Sequence, residues 1–315
     1  MGKIAFIFPG QGSQFVGMGK DFYEAEPAAR NVFDAADQAL GFSLSKLCFE
    51  GPEEELRLTA NTQPALLTTS TAILRVIEEK IGIVPDYAAG HSLGEYSALV
   101  AVGSLAFGDA VQIVRARGEY MEQAVPAGQG AMAAVMGMDR EPLAGLCTQV
   151  AATGDPVQLA NLNCPGQIVI SGSAAGVSKA GDMAKEAGAK RVIPLNVSGP
   201  FHSVLMEPAA VKLQEKLGGY EINNAKALVV ANVSAKAITN QTDIRTALIE
   251  QVASPVLWED SVRFMLEAGV DLFVEIGPGT VLSGLVKKVD RKVKTIAISD
   301  IPTLEKAVEE LKALV

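Results

Sequence analysis

The chain has 315 residues, 49% hydrophobic and 20% charged, an ordinary globular composition with room for one large domain or a large one and a small one. Its 36 acidic and 27 basic side chains leave a formal charge of −9, a field that repels nucleic acid and anionic membranes. Cys48, Cys147 and Cys164 have neither disulfide-framework nor C-x-x-C zinc spacing, and no run approaches the ~20 apolar residues of a membrane span.

Residues 3–8, KIAFIF, form a short apolar run rich in aromatic and β-branched side chains, read as a buried strand. The chain enters it at once, with no signal-peptide pattern, so the protein is expected to be cytoplasmic. The loop PGQGSQ follows. Its spacing fits neither G-x-G-x-x-G nor the lysine-bearing phosphate loop. Its glycines would let the Gln11 amide approach a ligand oxygen; the alternative is a plain turn. Residues 21–40 carry apolar side chains near 3.6 spacing and predict one helix. Residues 43–49 predict a short amphipathic piece, and Glu53-Glu54-Glu55 opens another helix. Residues 59–80 are read as helical from Pro64, with Gln63 at the helix mouth, where a lone glutamine is most often solvated.

Residues 87–102, YAAGHSLGEYSALVAV, read as a strand end, the pattern G-x-S-x-G, and an apolar helix. In that pattern Ser92 sits on a sharp turn and projects into a cleft. Gly90 and Gly94 let strand and helix approach, and the Leu93 amide at the helix N-terminus can donate to an oxyanion. The bland alternative is a serine that caps a helix. Residues 104–124 form the next helix. It bears Arg115 and Arg117, which two-residue spacing turns to different sides, one toward the surface and one inward.

From residue 127 to 198 the order becomes β-α-β-β-α-β, a ferredoxin-like pattern. GPFHS follows, then alternating helices and strands, with strands over 227–231, 271–276 and 294–298 and a closing helix over 303–315. Residues 1–126 and 199–315 therefore predict a large α/β core with a mostly parallel sheet, and 127–198 a small inserted subdomain.

A serine needs a base, and the chain holds two histidines. His91 shares the sharp turn with Ser92 and should leave it in another direction. His202, in a loop at the hinge of the two units, is the better candidate. No triad carboxylate is evident; a backbone carbonyl could orient the imidazole instead.

GQGSQ, TANTQPAL, GHSLGEYSAL, the Arg117 helix, GPFHS and EIGPG together resemble the malonyl-CoA:acyl-carrier-protein transacylase family of fatty acid synthesis, over nearly the whole chain. The resemblance implies an α/β-hydrolase-like core with a ferredoxin-like subdomain. It implies Ser92 as the nucleophile that becomes malonylated and His202 as the catalytic histidine. Gln11 and Leu93 would supply oxyanion amides, Arg117 would hold the malonyl carboxylate, and the Gln251 main-chain carbonyl would steer the histidine. Gln63 and His91 resemble site-lining residues, and Phe201 resembles that of malonyl-selective members. No bound cofactor or metal is implied. A CoA thioester and a phosphopantetheine-bearing carrier protein are the substrates.

The carrier is expected to be acidic, so docking onto this acidic chain needs a local basic patch. Lys287, Lys288, Arg291 and Lys292 are the densest candidate, and Lys190-Arg191 come next; a solvated basic face is the plain alternative. A monomer is expected, since no coiled-coil pattern or exposed apolar helix stands out. The rival functions are a serine hydrolase and a non-catalytic docking subunit on the same fold.

Overall fold

Five apolar runs and a two-residue return strand assemble into one mostly parallel sheet in the computed structural model, which describes residues 2–126 and 128–312. β1 (Lys3–Phe8) opens it. The single helix expected over 21–40 is two, α1 (Lys20–Ala25) and α2 (Pro27–Leu40). Glu26 between them is extended (φ −123°, ψ 115°), the region a residue before proline prefers. α3 (Leu44–Glu50) and α4 (Glu53–Arg57) lead to α5 (Thr59–Lys80), which begins at Thr59 rather than at Pro64. A proline inside a helix leaves the carbonyl four residues back without its donor. Here that carbonyl, Ala60 O, accepts from Arg115 Nη1 at 3.1 Å. β2 (Tyr87–Gly90), α6 (Gly94–Ala101) and α7 (Phe107–Gln123) complete the first part of the core.

A second, four-stranded sheet comes next, with β3 (Gly130–Met136), α8 (Arg140–Ala151), β4 (Val157–Cys164), β5 (Gln167–Ser173), α9 (Ala174–Glu186) and β6 (Arg191–Pro194). Its strand order is β4-β5-β3-β6 with every pair antiparallel, the ferredoxin-like arrangement. It has its own apolar core, including Val135, Leu143, Ile170 and Val177. β4 is also stitched to the large unit. Asn161 bridges Val256 in parallel, Leu162 N donates to Val256 O at 2.9 Å, and Val256 N donates to Ala160 O at 2.8 Å.

The chain returns through a 3-10 turn (Val204–Met206), α10 (Glu207–Leu217), β7 (Leu228–Val230), an unforeseen β8 (Ala237–Ile238), α11 (Gln241–Gln251) and α12 (Trp258–Glu267). β9 (Val270–Ile276), α13 (Val281–Val289), β10 (Lys294–Ile298) and α14 (Ile301–Lys312) close it. The expected helix end at Val315 and the expected boundary at Ala127 lie outside the described residues.

The large sheet runs β10-β9-β1-β2-β7-β8, parallel except for the β7–β8 pair. Apolar side chains cover both faces, Phe6, Phe8 and Val274 on one and Ile7, Trp258 and Phe273 on the other. β1 and β2 are neighbours, with Phe8 opposite Gly90. The loops leaving their carboxyl ends therefore start side by side, where open α/β sheets gather ligands. Among the described residues no helix is long and apolar enough to cross a membrane.

Candidate active site

The turn after β2 is forced by contact. A Cβ on Gly90 would lie 1.9 Å from the carbonyl carbon of Gly94, and one on Gly94 would lie 2.1 Å from Phe8 O. Only glycine permits that approach of strand and helix. Between them Ser92 takes φ 50°, left-handed backbone that a residue with a side chain enters at a cost on the order of 1–3 kcal/mol. Its hydroxyl projects into a cavity of about 100 Å³ between the two units, which Met132, Asn161 and Leu195 line from the second unit's side.

His202 is also left-handed, at φ 58°, and is 3% exposed. Its Nε2 lies 2.8 Å from Ser92 Oγ, and its Nδ1 lies 2.9 Å from the main-chain oxygen of Gln251. A carbonyl only accepts, so Nδ1 carries the proton and Nε2 is left to accept the serine's. Burial first, then the Arg117 charge, pushes the His202 pKa down to about 3, which keeps the ring neutral. His91 turns away from Ser92. Its Nε2 meets Asn163 Oδ1 at 2.9 Å, its ring lies 5.9 Å from that of Trp258, and burial lowers its pKa.

Arg117 points inward and is 1% exposed. Arg115, two residues earlier, faces outward and pairs with Glu119. Arg117 Nη1 donates to Gln63 Oε1 at 2.7 Å, and Nη2 donates to Gln251 Oε1 at 2.9 Å and to Ser92 Oγ at 3.1 Å. Its Cζ lies 5.6 Å over the Tyr96 ring. Every one of these partners is neutral. Among the described residues no carboxylate pairs with this guanidinium directly, and its buried Nε–H has no partner. A buried cation so arranged is poised for an anion. Gln63 is not solvated at a helix mouth; α5 starts earlier, so Gln63 lies inside it, 1% exposed, on Arg117.

Gln11 and Leu93 line the cavity beside Ser92, and among the described residues neither main-chain N–H donates to a protein acceptor. The Gln11 side chain is occupied with Thr59 Oγ1 at 3.1 Å. Phe201, 6% exposed, is part of the cavity wall. Among the described residues no group of three His, Cys, Asp or Glu side chains could hold a metal ion.

Four polar residues at or beside the site went unnoticed in the sequence: Glu95, Gln158, Asn163 and Asn232. Asn232 lies just past the carboxyl end of β7, a position that could have flagged it. Its Oδ1 accepts from Ser92 N at 2.7 Å. Gln158, on β4, donates through Nε2 to His202 O at 3.3 Å and accepts from Val204 N at 3.0 Å.

The expected basic patches lie apart from this cavity's walls. Lys287 Nζ donates to the Arg291 and Val293 carbonyls, and Lys288 Nζ donates to Gln167 Oε1 at 2.9 Å. The turn that ends at Gln167 holds Gly166, whose carbonyl accepts from Gly137 N at 2.7 Å, and the Lys190 stem packs on Gly137. The two basic stretches, remote in sequence, thus flank one hairpin turn.

An acyl transferase domain model matches residues 5–313. The malonyl CoA-acyl carrier protein transacylase of Bacillus subtilis is 61% identical over 312 residues, 99% of this chain and 98% of that protein. A Vibrio cholerae acyl carrier protein S-malonyltransferase crystal structure superposes with a TM-score of 0.94 at 45% identity, covering 97% and 99% of the two chains. A malonyl-transacylase solved in complex with its type II PKS acyl-carrier protein gives 0.95 at 46% identity, covering 98% and 99%. Fold, motif order and sequence agree along the whole length: the chain belongs to the acyl transferase domain family, with malonyl CoA-acyl carrier protein transacylases among its relatives.

Proposed function

We propose that this chain transfers a malonyl group from malonyl-CoA to the phosphopantetheine thiol of an acyl carrier protein, through a malonyl-Ser92 intermediate, in fatty acid synthesis. The observation that carries the reading is the position of one hydroxyl: Ser92 Oγ lies 2.8 Å from a neutral imidazole nitrogen and 3.1 Å from a buried guanidinium. A nucleophile, its base and a carboxylate receptor meet within one small cavity.

Ser92 Oγ attacks the thioester carbonyl as His202 Nε2 takes its proton, and the Gln11 and Leu93 amides hold the oxyanion. The C–S bond breaks and the imidazolium returns the proton to the CoA sulfur. The carrier thiol then enters, gives its proton to His202 and attacks the acyl carbon; the Ser92 Oγ–acyl bond breaks as the imidazolium returns that proton to Ser92 Oγ. Gln251 O holds the ring's Nδ1–H in the role a triad carboxylate usually has. Arg117 grips the malonyl carboxylate. Burial holds His202 down most and the Arg117 charge next; the malonyl anion neutralises that second contribution, so a donor bearing a carboxylate makes the base stronger on arrival. Phe201 narrows the cavity against a donor with an α-methyl group. No cofactor takes part in these steps.

Intact-mass measurement after mixing with malonyl-CoA tests the reading. A malonyl adduct on Ser92 that persists in water and is discharged by a carrier thiol is expected. Rapid release of free malonate would make the protein a hydrolase, and no adduct would make it a docking subunit.

The finer points of this reading are a division into a core of residues 1–126 and 199–315 and a subdomain of 127–198, a monomeric state and a cytoplasmic location. The separate apolar core of the second sheet supports the division. For the carrier, the basic ring of Lys190, Arg191, Lys288, Arg291 and Lys292 is the docking surface, with Lys287 tying the loop beneath it. Charge reversal at Lys288 and Arg291 is expected to raise the carrier KM roughly tenfold and spare that for malonyl-CoA; an unchanged carrier KM removes the patch from the interface.

A further inference from the structure

The left-handed backbone of Ser92 is held by side chains distant in sequence. Its N–H donates to Asn232 Oδ1 at 2.7 Å, and its carbonyl accepts from Gln251 Nε2 at 3.1 Å. Asn232 Nδ2 donates to Gly90 O at 2.7 Å, so one amide spans the turn from strand end to nucleophile. Both supports then converge on a single oxygen. Glu95 Oε2 accepts from Gln251 Nε2 at 2.7 Å and from the Asn232 main-chain N–H at 3.1 Å.

Glu95 stands three residues after the nucleophile, in the first turn of α6, 1% exposed and off the cavity wall. Among the described residues it has no direct cationic partner. A dry carboxylate without a cation destabilises a core, and burial raises this one's pKa to about 7. An apolar side chain would pack here at less cost, so packing alone does not account for an acid. Its oxygens in the ionised state only accept. They hold the Gln251 amide with its NH2 toward Glu95 and its oxygen toward Arg117, where Oε1 accepts from Nη2 at 2.9 Å. A proton on Oε1 would leave Oε2 accepting both bonds, so the clamp does not depend on the charge.

We infer that Glu95 is a positioning residue for acyl transfer, an anchor whose Oε2 locks Asn232 and Gln251 so that Ser92 keeps its reactive turn and the Gln251 carbonyl stays beneath His202. The inference rests on the reading of Ser92 as the nucleophile. Because the anchor acts on the nucleophile's backbone, its loss is expected to slow every acyl donor, whereas loss of Arg117 falls mainly on a donor that bears a carboxylate.

Single-turnover acylation with malonyl-CoA and acetyl-CoA tests it, with wild type and Ser92→Ala alongside Glu95→Ala, Glu95→Gln and Gln251→Leu. Displacing reacting groups by about 1 Å can cost about 10²-fold. Glu95→Ala is therefore expected to lower the acylation rate roughly 30-fold with both donors and to shift KM by less than about threefold. Glu95→Gln, whose amide oxygen can stand where Oε2 stood, is expected to recover to within about fivefold of wild type. Adding Gln251→Leu to Glu95→Ala is expected to cost little more than either alone, as for residues that act as a unit. Wild-type rates in a folded Glu95→Ala, or equal losses in Glu95→Ala and Glu95→Gln, overturn the inference. If Glu95→Ala does not fold, Glu95→Leu, which fills the site but offers no acceptor, decides: wild-type acylation rates in it overturn the link. Absence of a wild-type adduct, or an adduct on Ser92→Ala, would instead sink the acyl-transfer reading itself.

Discussion

Two left-handed residues face each other across the cavity, and their supports come from different parts of the molecule. The Ser92 turn is bracketed by Gly90 and Gly94 and held from within the core by Asn232 and Gln251. The His202 turn is tied at its base by Ser203 Oγ, which donates to Pro200 O at 2.7 Å, and its carbonyl is held by Gln158, which belongs to the second sheet. Gln251 reaches both, with its side chain on Ser92 O and its main-chain oxygen on His202 Nδ1. The Ser92 turn is thus held entirely from the core, while the His202 turn is held from both sides, its ring by Gln251 of the core and its carbonyl by Gln158 of the second sheet. The contrast gives the ferredoxin-like sheet a contact beyond walling the cavity: its Gln158 holds the backbone from which the His202 ring projects.

The largest losses come from removing the reacting groups themselves. Ser92→Ala should abolish the acyl-enzyme, and His202→Ala should lower acylation about 10³-fold or more, read by intact mass and by single-turnover rates. Arg117→Ala removes the guanidinium that touches Ser92 Oγ and whose charge acts on His202. It should cost malonyl transfer on the order of 10²-fold and acetyl transfer less than tenfold, and equal losses with both donors would remove the carboxylate-receptor role. Gln158→Ala should touch the base's turn alone, lowering kcat roughly fivefold to tenfold with both donors and leaving KM near its original value. An unaffected kcat would place the whole support of His202 in the core.

The smallest effect is an absence of change with pH. With the His202 pKa near 3, kcat/KM for malonyl-CoA should stay level between pH 8 and 5, with no limb at the usual imidazole value of about 6.5. The stability sign follows from the same depression. The unfolded chain takes up a proton on this histidine below about 6.5 while the folded one does not. Its stabilising share is therefore full above that pH and is lost as pH falls toward 3, which denaturant titrations of wild type against His202→Gln should reveal.

Much of this was legible in the residues. The glycine pair around Ser92 announces a tight turn because only glycine tolerates the approach. The two-unit order was readable from alternating periodicities. The break at Glu26 was legible too, since Pro27 follows it, yet a run of well-spaced apolar side chains hid it. The hidden parts are long-range. Nothing in Phe201-His202-Ser203 signals left-handed backbone, for neither glycine nor asparagine stands there. Pro64 marks a helix start by local rules, and its place inside α5 depends on Arg115 from another helix. Gln63, Glu95 and Gln251 are polar residues on helices, and such residues read as surface until a buried guanidinium or a strained carbonyl is found next to them.

The bridge between Asn161 and Val256 has a consequence for handling the protein. A four-stranded sheet has two open sides that can template pairing with another molecule. One of them, β4, is occupied by the core's own backbone at this bridge. The other, β6, carries Arg191 and ends in Pro194, a charge and a missing donor that discourage a partner strand. A variant that loosens the stitch at Val256 would uncover a strand lacking such guards, and self-association, before any loss of helix, would be its first symptom.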